Sequence, residues 1–478
     1  MRWLAVHLPV LPLEVFSRAL EAPSPLAVSR PGRPERILLC NRSAWERGIR
    51  PGMPVGGALT LAADLRVLPR REAREREALE RLAAWCGRFS SEVSLEPPRA
   101  LVLEAGRSLT LFGGAEALLG QVATGVAELG YRARCCLAPT PAGALALSAF
   151  REEGVFADLR SLRAALSRLP LAALGLEERA LGDLRSMGLR RMGDLLRLPC
   201  AGLVERLGPE RVRQLQRLLG EVPDPRPRFE PPARYSGRLE LPAELLHVDA
   251  LVFPCRRLLD ELAGFLLGRQ AGVQRLEWCL RHPRQIADTR FTLGSARPER
   301  DSGCWLELLR QRLERLQLPA PVRALNLDVD GIQPMAPAAL ELFPELDPSP
   351  DPDPALLDRL RARLGPDAVR GLALVADHRP ERAWRWCSPG EPGEGGGRAD
   401  RPLWLLPEPL PLETRDGRPW WDGELDLGRE RERIETGWWD GFEVARDYFV
   451  ATGVEGARLW VYRERTGRGR WFLHGLFG

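Results

Sequence analysis

The sequence predicts an α+β fold divided among several domains. With 478 residues and 44% hydrophobic content, the chain can bury several cores, and typical domain sizes give about three domains. Residues 2–8 form a short apolar strand and Glu14 to Leu20 have helical spacing, so the chain opens with a strand and then a helix. Strands and helices follow in mixed order up to residue 150, which predicts a sheet with helices on one face.

The composition excludes several classes of enzyme. The sequence contains no lysine, so chemistry that needs a Schiff-base lysine or a phosphate-loop lysine is excluded. The nine cysteines are scattered without CxxC spacing, which favours reduced, buried side chains over metal ligands or disulfides. No uninterrupted apolar run reaches about 18 residues and the N-terminus lacks the pattern of a secretory leader, so we expect a cytoplasmic protein.

Three later segments differ in character. Residues 166–220 are short helices separated by glycines, which predicts paired helix-hairpin-helix units whose amides can hold a DNA phosphate. The Pro-rich segment 221–232 has the composition of a linker. Residues 234–330 show helices near 249–267 and 302–316 among strands, which predicts a further α+β domain, and a Pro- and Asp-rich stretch then precedes a tryptophan-rich tail.

This order of modules resembles that of the Y-family translesion DNA polymerases over about residues 1–335. The opening WLAVHLP, the segment RPLWLLPEPLPL and the C-terminal segment that begins RDYFVATG are more similar to the ImuB family, the polymerase-like subunits of the bacterial mutasome. The resemblance implies a Y-family α+β architecture plus a small C-terminal region. The implied boundaries are 1–10 and 70–165 for the palm, 11–69 for the fingers, 166–222 for the helix-hairpin-helix thumb, 223–233 for a linker, 234–333 for the little finger, 334–354 for a linker with a clamp-binding motif, and 355–478 for a C-terminal partner-binding region.

The resemblance also implies that the catalytic carboxylates are missing. In an active Y-family enzyme the first strand presents an aspartate and a later palm hairpin presents an Asp-Glu pair, since two Mg²⁺ ions need anionic oxygen ligands. The corresponding positions here are His7, Arg99 and Ala100. We therefore expect no catalytic residue, no metal site and no cofactor. The positions of the usual triphosphate, sugar and lysine contacts are replaced as well, by Arg42, Trp45, Pro12 and Leu145.

Nearby acidic residues leave open the alternative that displaced carboxylates rebuild a metal site here. They would have to converge within bonding distance to rebuild a metal site. We favour the interpretation that they are solvated charges on strand edges and helix surfaces. These residues are Glu14, Glu92, Glu96 and Glu104.

Arginines of the helix-hairpin-helix segment and of the following domain are candidates for phosphate contacts. The alternative is that they are ordinary solvated helix arginines. The first hairpin carries Glu177 where a second glycine usually admits phosphate, so we expect weak, salt-sensitive and sequence-independent DNA binding. The candidates are Arg190, Arg191, Arg211, Arg213, Arg256, Arg257, Arg275 and Arg281.

The peptide Ala339-Leu340-Glu341-Leu342-Phe343 resembles the bacterial sliding-clamp motif QLxLF, with alanine in place of glutamine. An extended segment of this kind places leucine and a Leu-Phe pair in an apolar cleft, where each buried side chain contributes about 1.5–3 kcal/mol before ordering costs. Loss of the glutamine removes one polar anchor. The alternative is a short helical or collapsed apolar segment.

Tryptophans of the tail lie among arginines and glycines, a composition enriched at protein interfaces but equally suited to the core of a small domain. They are Trp404, Trp420, Trp421, Trp438, Trp439, Trp460 and Trp471. The family resemblance implies docking of an ImuA-like, RecA-related protein and of an error-prone C-family DNA polymerase. We therefore interpret the chain as a DNA- and clamp-binding scaffold for SOS-induced mutagenic translesion synthesis. The competing hypotheses are an active Y-family polymerase with displaced metal ligands and a DNA-binding module unrelated to replication.

Overall fold

A computed structural model describes residues 2–19, 24–335, 354–365, 368–388, 391, 393–394 and 401–477. The chain forms two compact units, Met1–Arg363 and Leu364–Gly478. Within the described residues, no helix combines the length and the apolar character needed to cross a membrane.

After the first strand and a short helix, the chain forms a small three-stranded sheet. In that sheet β2 lies between β3, to which it is antiparallel, and β4, to which it is parallel. Apolar residues such as Ile37 and Ile49 form its own core. The elements are β1 (Trp3–His7), α1 (Leu11–Ser17), β2 (Leu26–Arg30), β3 (Arg36–Cys40), α2 (Arg42–Glu46), α3 (Val55–Leu61) and β4 (Arg66–Pro69).

A central five-stranded sheet follows, and β1 is its middle strand. The strand order is β5-β6-β1-β7-β8, and β1 is antiparallel to both of its neighbours. The pairing joins the N-terminal strand to segments about a hundred residues further along the chain. The elements are α4 (Glu72–Cys86), β5 (Val93–Glu96), β6 (Ala100–Glu104), α5 (Ala115–Glu128), β7 (Arg134–Ala138), α6 (Pro141–Ala149) and β8 (Gly154–Val155).

Helices cover both faces of this sheet, so the prediction of helices on one face was wrong. Leu4 and Val6 of β1 pack in the core that contains α4 and α5. Ala5 points the other way, into the core that contains α6. The physical reason is visible in the apolar run Leu4-Ala5-Val6, because side chains alternate along a strand and an uninterrupted apolar run is typical of a strand buried on both sides.

Short helices extend the core on the α6 side of the central sheet. Leucines from each of them, including Leu162, Leu184 and Leu215, join the same cluster as α6. The helices are α7 (Leu159–Arg168), α8 (Glu178–Ser186), α9 (Met192–Leu195), α10 (Cys200–Leu207) and α11 (Pro209–Leu219), with a 3₁₀ turn at Leu171–Leu174. The predicted series of short helices is therefore present.

A second antiparallel sheet has the order β11-β10-β12-β9 and packs against α12 and α13. The predicted helices near 249–267 and 302–316 correspond to α12 and α13, whereas the strand β9 was not anticipated. The elements are β9 (Tyr235–Leu245), α12 (Val252–Gly268), β10 (Ala271–Arg281), β11 (Thr289–Glu299), α13 (Ser302–Leu313), β12 (Val322–Val329), β13 (Gln333–Pro334) and α14 (Pro354–Leu364), with a 3₁₀ turn at Val248–Leu251.

The helices α4 and α12 pack closely because glycines remove side chains from their contact. A Cβ atom added at Gly264 would overlap the indole ring of Trp85. One turn further along, a Cβ atom at Gly268 would lie 2.8 Å from the backbone of Gly87. Trp85 itself is buried, so this contact joins the second sheet firmly to the helix layer of the central sheet.

A buried ion-pair network crosses the same junction. The carboxylate of Glu261 on α12 lies 2.7 Å from the guanidinium of Arg18 and 2.8 Å from that of Arg81 on α4. Arg18 also donates a hydrogen bond to the hydroxyl of Tyr131, and Tyr235 of β9 donates one to Glu261. Burial alone raises the pKa of Glu261, but Arg18 and Arg81 outweigh it and hold the pKa below its usual value.

The second unit is built from β-strands. Its main sheet has the order β16-β22-β21-β20-β19, and two smaller sheets pair β14 with β15 and β17 with β18. Tyr448, Trp460 and Tyr462 stack at the centre of one of its cores. The strands are β14 (Gly371–Leu374), β15 (Trp384–Cys387), β16 (Trp404–Pro411), β17 (Glu413–Arg415), β18 (Arg418–Trp420), β19 (Asp426–Thr436), β20 (Val444–Thr452), β21 (Arg458–Glu464) and β22 (Trp471–Leu476), with a 3₁₀ turn at Pro380–Arg382.

The network at Glu261 gives a stability prediction. We expect Glu261→Ala to lower the free energy of unfolding of the first unit by about 3–5 kcal/mol, because two buried guanidinium groups lose their counter-ion. Urea denaturation followed by tryptophan fluorescence measures this. The matched control is Glu46→Ala, which breaks an exposed pair with Arg42 and should cost no more than about 0.5 kcal/mol. Equal effects of the two variants would contradict the prediction.

Candidate functional site

The three positions predicted to replace the catalytic carboxylates meet at one end of the central sheet. His7 is the last residue of β1 and pairs with Ala100, the first residue of β6. The backbone carbonyl of Arg99 accepts a hydrogen bond from the amide of Leu8 at 2.8 Å. The antiparallel pairing of β1 with β6 therefore brings together residues that lie about ninety positions apart in the sequence.

A row of four residues crosses the sheet at this end. Ala100 pairs with Glu96 of β5, and His7 pairs on its other side with Arg134 of β7. His7 is two residues beyond Ala5, so the row lies on the face that α6 covers. Arg134 donates a hydrogen bond to the carbonyl of Ala149 at the C-terminus of α6, at 3.2 Å. This contact fixes the position of its guanidinium group.

Burial, together with the positive charges around it, favours the neutral form of the His7 imidazole. Burial lowers the pKa of His7 to about 4, and the nearby charges of Arg99 and Arg134 lower it in the same direction. Burial also lowers the pKa of Arg134, with further contributions from the positive charges of Arg151 and Arg99 and an opposing one from Glu153. Sequence reasoning missed Arg134, because only the pairing of β1 with β7 brings it to this site. It also missed Arg151, whose charge acts on Arg134.

The four acidic residues considered as substitute ligands each have another partner. Glu96 forms an ion pair with Arg226 at 2.8 Å, and Glu92 forms one with Arg107 at 3.0 Å. Glu104 accepts a hydrogen bond from the backbone amide of Gly106, at 2.9 Å. Glu14 accepts one from the backbone amide of Arg132, at 2.8 Å, and burial raises its pKa to about 7.

Two of these acids correct the interpretation that all four are solvated. Glu14 and Glu104 are buried rather than exposed, because each carboxylate binds backbone amides inside the fold. In the part of the chain that the structure describes, no group of three or more His, Cys, Asp or Glu side chains is arranged to hold a metal ion. An imidazole, a guanidinium group and a methyl group are not the anionic oxygen donors that Mg²⁺ needs, so the residues at this site do not fit that metal.

The eight arginines proposed to contact DNA lie in two parts of the first unit. Arg190 and Arg191 precede α9 and are exposed. Arg211 donates to the carbonyl of Leu174. Arg257 is half-buried against the ring of Phe253, and burial followed by the charge of Arg18 lowers its pKa to about 10. The remaining four are paired with acidic side chains, as Arg213–Glu210, Arg256–Asp260, Arg275–Glu277 and Arg281–Asp288.

The structure describes the tail tryptophans but not the candidate clamp-binding peptide. The peptide 339–343 lies outside the described residues. Among the tail tryptophans, Trp460 and Trp471 are buried in the core of the second unit. Four others, Trp404, Trp421, Trp438 and Trp439, are exposed, and Trp420 is half-buried. Some tail tryptophans therefore form the core of a small domain, and others lie on its surface, where an interface would need them.

Comparisons with known proteins found a family model, solved structures and curated relatives that match this chain. The family model described as IMS, the impB/mucB/samB family, matches residues 14–149. Among solved structures, an insertion ternary complex of Dbh DNA polymerase is 15% identical with a TM-score of 0.40, covering 70% of this chain and 99% of that chain. DinB from Sulfolobus solfataricus is also 15% identical, with a TM-score of 0.37, covering 70% of this chain and 100% of that chain.

The chain has an α+β fold, and its part from residue 14 to residue 149 has the character of the impB/mucB/samB class of proteins. Two curated proteins named Protein ImuB, from the NA1000 / CB15N and ATCC 19089 strains of Caulobacter vibrioides, are each 31% identical to it over 467 residues. The alignments cover 90% of this chain and 100% of each relative. The chain belongs to the ImuB family, which confirms the resemblance inferred from the sequence.

The charges around His7 give a prediction that NMR can test. We expect the His7 imidazole to titrate near pH 4 in the folded chain, and Arg99→Ala to raise its pKa, because one nearby positive charge is removed. The pKa of His7 is lower in the folded state than in the unfolded state, so the unfolded chain takes up the proton first as the pH falls. The free energy of unfolding should therefore decrease between about pH 6.5 and pH 4.

The control for this titration is Arg107→Ala, which removes an exposed arginine just beyond the opposite end of β6. It should leave the pKa of His7 unchanged. A His7 pKa at or above the ordinary value of 6.5 in the wild-type chain would contradict the prediction.

Proposed function

We propose that the chain is a non-catalytic homologue of Y-family polymerases that acts as a scaffold in SOS-induced mutagenic translesion synthesis in the bacterial cytoplasm. The observation that carries the proposal is the meeting of His7, Arg99 and Ala100 at one strand end, where the family pattern has acidic residues. The scaffold binds DNA, the sliding clamp and the polymerase that carries out the synthesis.

The charge at this end of the sheet opposes metal-dependent chemistry. Phosphoryl transfer by the two-metal route needs anionic ligands that hold two cations about 4 Å apart. Arg99 and Arg134 instead present positive charge on either side of a neutral His7. Restoring the site from Glu14 or Glu104 would break hydrogen bonds to backbone amides inside the fold, which is costly for a buried carboxylate.

DNA binding is proposed through exposed arginines of the helical segment and of the second sheet domain. Arg190 and Arg191 support it best, because their side chains are exposed while their backbone amides are held by Asp194, at 2.9 Å each. Arginine side chains that contact phosphates bind without regard to sequence and lose affinity steeply as salt is added. Arg257 contributes least, because it is half-buried at the junction with α5.

Protein partners are proposed to bind beyond the second sheet. The peptide 339–343 is assigned to the sliding clamp on its sequence alone. In the second unit, the loop between β19 and β20 presents Trp438, Trp439 and Phe442, which are 76%, 60% and 63% exposed. Large exposed aromatic side chains of this kind are typical anchors of protein interfaces.

Ion pairs hold that aromatic loop in one conformation. The carboxylate of Asp440, between the aromatic residues, lies 2.7 Å from the buried guanidinium of Arg379 and 2.8 Å from that of Arg382. Asp440 also accepts a hydrogen bond from the amide of Phe442 at 3.0 Å. A loop fixed in advance loses less conformational entropy on binding. This favours the loop as a contact for the ImuA-like protein or the C-family polymerase.

Primer extension tests the absence of catalysis. We expect no nucleotide incorporation by the purified full-length chain with Mg²⁺ or Mn²⁺, because the strand end offers no pair of carboxylates to hold the metals. An active Y-family polymerase serves as the positive control. Incorporation above a reaction without protein, abolished by EDTA, would favour the competing hypothesis of displaced ligands, and Glu14→Gln and Glu104→Gln would then show whether those carboxylates are the ligands.

Capture experiments with purified partners test the division of binding roles. We expect the double variant Leu342→Ala with Phe343→Ala to lose sliding-clamp capture and to keep capture of the ImuA-like protein and the C-family polymerase. Deletion of residues 353–478 should have the reverse effect, because it retains 339–343 and removes the aromatic loop. Clamp capture that survives the double variant would show that the motif is assigned wrongly, and a chain with no clamp association would favour a DNA-binding module unrelated to replication.

A further inference from the structure

Arg134 lies beside His7 at the strand end, and the charges of two further arginines, Arg99 and Arg151, act on it. Arg134 is the partner of His7 in β7, and Arg99 immediately precedes Ala100, its partner in β6. Arg151 follows the C-terminus of α6, the helix whose last carbonyl accepts a hydrogen bond from Arg134. We call Arg99, Arg134 and Arg151 the arginine cluster.

Two carboxylates near the arginine cluster are paired with other arginines. Glu96 is bound by Arg226 at 2.8 Å, and Glu152 is bound by Arg168 at 3.3 Å. Glu153 is the acidic group whose charge acts on Arg134, against those of Arg99 and Arg151. Burial lowers the pKa of Arg134 most, and the positive charges of Arg151 and Arg99 lower it further.

We infer that the arginine cluster, together with the imidazole of His7, binds a phosphate group directly and without a metal ion. Guanidinium groups bind phosphate oxygens through paired hydrogen bonds, and a neutral imidazole can donate one more. Arg134 is already oriented by the carbonyl of Ala149, and Arg99 and Arg151 are exposed to solvent, so an anion can reach the cluster.

This inference deepens the proposed DNA-binding role and rests on it for the source of the phosphate. In the polymerase pattern, Mg²⁺ would link acidic side chains to phosphate oxygens. Here the positive charge belongs to the protein itself, so the phosphate needs no metal bridge. The phosphate belongs either to a DNA strand or to a free nucleotide, and both present the same chemistry to the arginines.

Fluorescence anisotropy with a labelled primer-template DNA tests the site in EDTA, with potassium chloride varied from low to moderate concentration. We expect Arg99→Ala to weaken binding at low salt about tenfold and to reduce the slope of log affinity against log salt by about one, because one phosphate contact is lost. Arg99→Glu should weaken binding further. Both substitutions are at an exposed position, so the variants should fold.

The matched control is Arg107→Ala, which removes the same charge from an exposed arginine beyond the other end of β6. It should change the affinity less than twofold. Equal affinities of the Arg99→Ala and Arg107→Ala variants, or wild-type binding that disappears in EDTA, would overturn the inference.

Competition identifies the source of the phosphate. Displacement of the DNA by millimolar pyrophosphate from the wild-type chain, with weaker displacement from Arg99→Ala, supports a free nucleotide. Loss of affinity in Arg99→Ala without pyrophosphate competition supports a strand phosphate. Equal competition by a glutamate-rich peptide would overturn the assignment to phosphate. Polymerase activity would contradict the proposed function and leave these EDTA measurements valid, whereas unchanged DNA binding by Arg99→Ala would contradict only the site.

Discussion

The buried carboxylate of Glu261 is the contact on which the arrangement of the first unit depends. It is shared by Arg18, which follows α1, and by Arg81 on α4, while Tyr235 approaches it from β9. Burying a charge is costly unless every partner is in place, so this network is stable only when α12 is docked on the helix layer of the central sheet. The close packing of Gly264 against Trp85 imposes the same docking through shape.

This constraint explains why the positive charge at the end of β1 matters for function. A scaffold that holds DNA needs phosphate-binding groups at fixed positions, and the network makes the second sheet domain and the central sheet one packed body. Arg99 and Arg134 are fixed by the strand pairing of the central sheet, and Arg275 and Arg281 by β10 of the second sheet. The spacing between these groups is therefore set by buried contacts rather than by the linker 221–232.

Much of this organisation could be predicted from the sequence, because its signals are local. Apolar runs and glycines located the first strand, the series of short helices and both helices of the second sheet domain. The positions of His7, Arg99 and Ala100 followed from the family resemblance. The prediction of helices on one face only was wrong, because Leu4 and Val6 join one helix-covered core and Ala5 joins the other.

What the sequence could not predict depends on pairing between distant segments. Arg134 has no spacing relation to His7, and only the register of β1 with β7 places it beside that residue. The burial of Glu14 likewise involves a distant contact, because its carboxylate accepts a hydrogen bond from the backbone amide of Arg132. The composition of the tail does not predict which of its tryptophans are buried. Trp460 stacks on Tyr448 in the core, whereas Trp438 is exposed.

Replacement of the carboxylates changes the sign of the charge at the strand end as well as removing ligands. Loss of acidic residues alone would leave a neutral surface with no preference for phosphate. Arg99 adds a positive charge beside Arg134, and together they favour the neutral form of His7, so the site now repels cations and attracts anions. A polymerase binds phosphate oxygens through Mg²⁺, whereas this strand end presents guanidinium groups to them. The same end of the same sheet is thereby suited to holding a nucleic acid without acting on it, which is the property that an adaptor for another polymerase requires.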